Sequence, residues 1–336
     1  MKKLFLHVGP HKTGTTAIQK FLVDNTKPCF QQNLVYPKRY LHIFGHHHFR
    51  EILKERQLRA EDLEFFSENQ NDFLLSSEDF ISLDEADFQY LRQSLDNFDI
   101  KIIFSWRRAS FKLYSIWQEV IKHGGTVDFF EYYHDHVARP GTSQMLSPDL
   151  KLNTLAKVFG KQNVKVIDYD ASSNSNTLYQ DFINACDLVW SDNFSIKKID
   201  KTAKNESMKL YDIEIVRALN NLMGYKYGYQ GSKVRLAYSR FKDALPADTT
   251  SELVSIIDSH TSTKIVGNYF VDTRAEKVMM QRFGANILNH QVNNSTKLLR
   301  LASSRWLSAL PVHDLLSNLA SKLNQLNTEE QEDVSN

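Results

Sequence analysis

Apolar positions along this chain follow two alternating rhythms. Short runs rich in β-forming residues occur at 4–8, 73–75, 101–106 and 163–169, each too short and too continuous for a half-exposed helix. Between them the apolar residues recur at helical spacing. Ala17, Ile18, Phe21 and Leu22 share one face, as do Leu113, Ile116, Trp117, Val120 and Ile121, with Gly124 and Gly125 as a stop. Residues 150–159 ending at Gly160, and residues 178–186, read the same way. Strand alternating with helix predicts an α/β fold of three layers, α/β/α, with a central and mostly parallel sheet.

The pattern is less legible from 201 to 270. Gly228-Tyr-Gln-Gly-Ser-Lys-Val-Arg235 reads there as a basic surface loop. Beyond it, Leu298, Leu299, Leu301, Ala302 and Trp306 stand among basic residues before Pro311. Leu315, Leu316, Leu319, Leu323 and Leu326 follow, then an acidic end at 329–333. Two amphipathic helices are predicted, so the division is a domain at 1–295 and a helical extension at 296–336. The apolar stripe over 296–326 suits packing on the domain, a second copy of the chain in a homo-oligomer, or a membrane surface.

Composition narrows the class. With 41 basic and 40 acidic residues among 336, the chain lacks the basic excess of a nucleic-acid binder. No stretch approaches the roughly 18 apolar residues of a membrane span. The first strand begins by Leu4, which leaves no room for a secretory signal. Two cysteines, Cys29 and Cys186, both in apolar surroundings, make no disulfide framework. A cytoplasmic location is expected, with a peripheral position at the inner membrane face as the second expectation.

Chemistry gathers where the first strand ends. Gly9-Pro-His-Lys-Thr-Gly-Thr-Thr16 joins that strand to a helix, the arrangement in which backbone N–H groups and the helix dipole converge on a phosphate. Thr15 and Thr16 can cap the helix and offer hydroxyls to the same oxygens. A nucleotide-triphosphatase loop reads G-x4-G-K-[ST]. Here Gly9 and Gly14 keep that separation, but Thr15 replaces the lysine, which sits earlier at Lys12. The loop instead resembles P-K-[ST]-G-T-[TS], the 5′-phosphosulfate loop of sulfotransferases that use 3′-phosphoadenosine 5′-phosphosulfate (PAPS). Phe-Gly-Lys-Gln-Asn-Val-Lys-Val at 159–166, Asp181-Phe-Ile183 and Asn205-Glu-Ser207 are similar to segments of bacterial sulfotransferase-like proteins.

The resemblance implies a P-loop-like fold with PAPS as co-substrate, adenosine 3′,5′-bisphosphate (PAP) as product, and no metal. It places His11, Lys12, Thr13, Gly14, Thr15 and Thr16 around the phosphosulfate, with Lys12 neutralising charge on the breaking bond. In the family an Arg at a strand end and a Ser eight positions later grip the 3′-phosphate, which Arg107 and Ser115 match. Arg108 and Ala109 depart from the family's Asp/Asn and Pro, which leaves open which arginine makes the contact. Late basic loops close over the nucleotide in the family, which brings in Lys233 and Arg235.

Transfer to an alcohol also needs a proton acceptor. Glu78, in Ser76-Ser-Glu-Asp79 after the third apolar run, is the first candidate; the same residues also read as a helix cap with an acidic first turn. His46, in His46-His47-His48, is the second, and an alternative reading makes His42 and His46 acceptor-binding. No Cys or well-spaced third ligand follows these histidines, which argues against zinc. The expected acceptor is a glycan or glycolipid hydroxyl, and Trp117, Phe129, Phe130, Tyr132 and Tyr133 are either its cleft or core. A small-molecule P-loop kinase and a non-catalytic nucleotide-binding scaffold are the other readings.

Overall fold

The computed structural model describes residues 1–139, 143, 146–197, 208–266, 270–290 and 297–335. Among the described residues there are eight strands: β1 (Lys2–His7), β2 (Leu34–Val35), β3 (Asp72–Ser76), β4 (Phe98–Trp106), β5 (Val164–Asp168), β6 (Thr261–Val266), β7 (Ile287–Leu288) and β8 (Lys297–Ala302). Six of them form one sheet in the order β2-β3-β1-β4-β5-β7, and every pairing is parallel.

This sheet belongs to the first of two compact units, made of Met1–Ala109, Pro140–Lys204 and Asn268–Asn294. Successive side chains of a strand point to opposite faces, and here both faces are covered. Leu4, Leu6, Phe73, Leu75, Ile102 and Val166 pack into one apolar cluster, while Phe5, Leu74, Ile103 and Ile167 pack into another. The α/β sandwich predicted from the alternating rhythms is therefore the observed fold. Among the described residues both cysteines are free and buried.

β1 lies at the centre, with β3 on one side and β4 on the other. The chain visits β2 and β3 on one flank before crossing to β4, so the strand order turns back at β1. Open parallel sheets bind ligands beyond the carboxyl ends of the strands at such a point. His7 pairs in register with Ser76 of β3 and Ile103 of β4, so β1 and β3 end level while β4 continues to Trp106.

The second unit comprises Ser110–Arg139, Asn205–Gly267 and Ser295–Asn336. Its core is helical. Trp117 and Trp306 are fully buried, and the indole N–H of Trp306 donates to Glu214 Oε2 at 3.1 Å. Glu214 also pairs with Arg217 at 2.8 Å, so this buried carboxylate is matched. Phe129 lies in the core and Phe130 is exposed.

Two features of the tail differ from the pattern-based reading. Residues 297–302 form β8, antiparallel to β6, rather than a helix. The run Leu298–Ala302 fits either period, and its partner strand lies some distance back in sequence. Helix Val312–Ser335 continues through the acidic stretch expected to follow it. The boundary at 295/296 and the segment 205–207 lie outside the described residues, and the two-unit division groups 110–139 with the tail.

Candidate active site

The turn after β1 is set by close packing of its backbone. Val8 continues the ladder by donating its N–H to the Ile103 carbonyl at 2.8 Å. At Gly9 a Cβ would lie 2.6 Å from Thr15 Cγ2 and 2.8 Å from His7 Nε2, so only glycine lets the turn fold back on the coming helix. Lys12 has φ 66° and Gly14 has φ 75°, two left-handed residues flanking Thr13. A left-handed lysine costs energy unless its surroundings enforce it. Two contacts do so: Thr13 Oγ1 donates to the Pro10 carbonyl at 2.7 Å, and Arg107 Nη1 donates to the Lys12 carbonyl at 2.8 Å.

Helix Thr15–Asp24 begins directly from Gly14, which has no side chain to cap it. Among the described residues, the backbone N–H groups of Gly14, Thr15, Thr16 and Ala17 have no hydrogen-bond partner. Expected capping by Thr15 gives way to a different role, since Thr15 is buried with its methyl against Gly9. Thr16 is the exposed hydroxyl of the pair. Alternating left-handed residues beneath an open helix start make a concavity of N–H donors suited to an anion.

Arg107, just after β4, settles which arginine meets this turn. Besides the Lys12 carbonyl, its Nε lies 3.4 Å from Asp170 Oδ1, and its guanidinium stacks 5.2 Å from the centre of the Tyr169 ring. Arg108 points elsewhere. Its Nη2 is 3.3 Å from Glu276 Oε2, and its backbone N–H donates to Asp170 Oδ2 at 3.0 Å. Asp170 is itself largely buried, and burial raises its carboxyl above the usual range. Ser115 stands in helix Ala109–Lys122 of the second unit.

Beside the turn, the end of β3 gathers a polar cluster. Fully buried His7 has Nδ1 2.8 Å from Ser76 Oγ and Nε2 3.4 Å from Ser105 Oγ, tying three strand ends together. Burial pushes its pKa down to about 3, so it stays neutral. Gln19, on the helix after the turn, donates to Glu78 Oε2 at 2.7 Å. Glu78 opens the short 3₁₀ helix Glu78–Ser82, whose cap is Ser77 accepting from the Asp79 N–H. The cap reading is therefore what the backbone shows, with the Glu78 carboxylate held by Gln19.

His46 does not suit the base assignment. The Ser76 N–H donates to its Nδ1 at 3.0 Å, and its Nε2–H donates to the Pro37 carbonyl at 2.9 Å. Both nitrogens are engaged, the ring is enclosed, and its pKa falls to about 4 through burial. His47 is the more chemically versatile neighbour. Its Nδ1 lies 2.9 Å from both Asp79 Oδ2 and Ser77 Oγ, and His11 Nε2 approaches Asp79 Oδ1 at 3.4 Å. Hydrogen bonding from His11 and His47 holds the Asp79 carboxyl well below its ordinary value, and Asp79 in turn raises His47.

No protein-family model matches the chain, and no curated protein matches it. Its fold is similar to that of a solved sulfotransferase, among other solved chains. That crystal structure, from Alicyclobacillus acidocaldarius, has 16% sequence identity, a TM-score of 0.39, and coverage of 70% of this chain and 99% of its own.

Residue patterns missed His47, Asp79, Gln19 and Asp170. One signal for His47 was present: the helix His47–Glu55 starts within the triple histidine, so neighbours fan apart by about 100° and His46 and His47 face different surroundings. Among the described residues no group of three metal-ligating side chains is assembled.

Proposed function

We propose that this protein is a PAPS-dependent sulfotransferase that modifies a hydroxyl group of a carbohydrate or glycolipid. The observation that carries the reading is the turn after β1, with left-handed Lys12 and Gly14, open N–H donors, and Arg107 clamped to the Lys12 carbonyl. PAPS supplies the sulfuryl group and leaves as PAP.

The chain's own residues then have distinct tasks. Donors from His11 to Thr16 hold the 5′-phosphosulfate, and Lys12 offsets charge on the oxygen that departs from sulfur. Arg107, pre-set by Asp170 and Tyr169, binds the 3′-phosphate. Ser115 keeps its assignment to the same phosphate from its spacing to Arg107. Glu78, oriented by Gln19, takes the acceptor's proton as the new O–S bond forms. His47, kept cationic to higher pH by Asp79, adds positive charge beside the strand ends.

Incubation with labelled PAPS and separate panels of glycans, glycolipids and phenols tests this. Label transfer to a sugar hydroxyl, with release of PAP, is the expected result. Transfer of phosphate from ATP under the same conditions, with none from PAPS, would favour the kinase reading instead.

A further inference from the structure

The second unit holds a cavity of about 480 Å³ that the proposed transfer reaction does not use. Its walls are two helix faces. Lys233, Leu236, Ala237 and Arg240 recur at i, i+3, i+4 and i+7 on helix Lys233–Phe241. Asn324, Asn327 and Thr328 recur likewise on helix Val312–Ser335. Helix Leu210–Tyr227 closes one end by stopping at left-handed Gly228, where Gly228 and Tyr229 N–H groups donate back to Gly224 and Met223 carbonyls.

From this lining we infer that the cavity is a binding site for an acidic saccharide chain, a ligand that presents both pyranose rings and carboxylate or sulfate groups. Three features specify that chemistry. Tyr227 and Tyr229 bring aromatic rings to the cavity, and flat rings suit the apolar faces of sugars. Tyr229 is fixed in place: Asn327 Nδ2 donates to its hydroxyl at 3.0 Å, and the helix stop sets its backbone. Asn324 and Thr328 add neutral donors and acceptors for hydroxyl groups.

Charge supplies the acidic half. Lys233 is exposed and has no ion-pair partner among the described residues. Arg240 pairs with Glu330 at an exposed position, the kind of ion pair worth little net energy and readily exchanged for a ligand anion. The two cations lie seven residues apart, about 10 Å along a helix axis and comparable to the length of a disaccharide. That spacing fits a chain with an acidic group on alternate sugars. The volume falls within the usual range for ligand sites, and few purely apolar residues line it.

Lys233, which the family resemblance linked to the nucleotide, begins helix Lys233–Phe241 and is assigned here to the saccharide instead; the inference does not rest on the sulfuryl-transfer reading, since none of its residues belongs to the turn after β1 or to the cluster after β3. Calorimetric titration of the full chain with a heparin-derived tetrasaccharide tests it, with maltotetraose and inorganic sulfate as separate probes. The tetrasaccharide is expected to bind, and Lys233→Ala and Tyr229→Ala each to weaken it about tenfold, while Tyr229→Phe stays within about threefold. Circular dichroism of each variant checks that the fold survives. No binding of the tetrasaccharide would overturn the inference. So would equal binding of maltotetraose, equal binding of sulfate alone, or affinity unmoved by both Lys233→Ala and Tyr229→Ala.

Discussion

The turn after β1 and the cluster after β3 adjoin at one sheet edge but are made in different ways. The turn is contiguous, residues 9–16, and works largely through its backbone: two left-handed residues, a glycine pressed on a threonine, and a helix start. The cluster draws side chains from separate segments, Gln19, His47 and Ser77–Asp79, which meet only because β1 and β3 pair. Backbone-built sites advertise themselves through Gly and Thr spacing. Side-chain clusters advertise themselves only once the topology is known.

Substitutions can break this comparison. The largest effect is expected on the turn side: Lys12→Ala should lower kcat about 10²–10³-fold, as loss of a transition-state charge partner does, while PAP affinity changes less than tenfold by rough analogy. Single-turnover rates and PAP titration measure both. Equal losses in both would mean that Lys12 binds rather than catalyses.

On the cluster side, Glu78→Gln should lower kcat about 10²-fold. His47→Gln should lower the rate at neutral pH by less, about tenfold. A larger loss of kcat with His47→Gln than with Glu78→Gln would transfer the base role to the His47–Asp79 pair.

Arg107→Ala sharpens the link between the regions. Removal of a charge-assisted phosphate contact should weaken PAP binding about tenfold or more, with adenosine 5′-phosphosulfate, which lacks the 3′-phosphate, affected much less. Comparable weakening of both would show that Arg107 acts mainly by holding the Lys12 carbonyl.

A separate effect, on stability rather than rate, is a pH dependence that comes from the cluster. His7 and His46 stay neutral in the folded protein down to about 3 and about 4. In the unfolded chain they take up protons near about 6.5, so unfolding binds protons between these values and stability rises with pH through that window. Each histidine contributes a slope of at most about 1.4 kcal/mol per pH unit there. His47 runs the opposite way: its raised value gives stabilisation that is full below the unfolded pKa and lost as pH rises through the folded one. Asp79, held low, contributes above its unfolded value and loses that contribution in acid. Urea unfolding between pH 4 and pH 8, as an approximate range bracketing the histidine pKa, should show stability climbing toward neutrality, and a flat profile would contradict the neutral state of His7 and His46.

Legibility followed the same divide across the whole fold. β1, β3, β4 and β5 were readable because each is a short apolar run with both faces buried, and the intervening helices because their stripes are regular. Gly160, with φ 89°, ends helix Pro148–Phe159 where its position in the sequence said it would. β8 was not readable, because Leu298–Ala302 fits two periods and only β6 decides between them. β7 is two residues long and carries too little pattern to register. Within the candidate site, Gly9, Lys12, Gly14 and Arg107 belong to patterns visible along the chain, whereas Asp170 and Asp79 meet partners that no local spacing encodes.

Binding of PAP to the wild-type chain and to Gly9→Val, followed by calorimetry, tests the central claim most directly. A side chain at Gly9 would collide with Thr15 and His7 and close the turn on itself. Binding by wild type and none by Gly9→Val, with both folded by circular dichroism, is the predicted result. Failure of the wild-type chain to bind PAP, or undiminished binding by Gly9→Val, would contradict the assignment of this turn to a sulfated nucleotide.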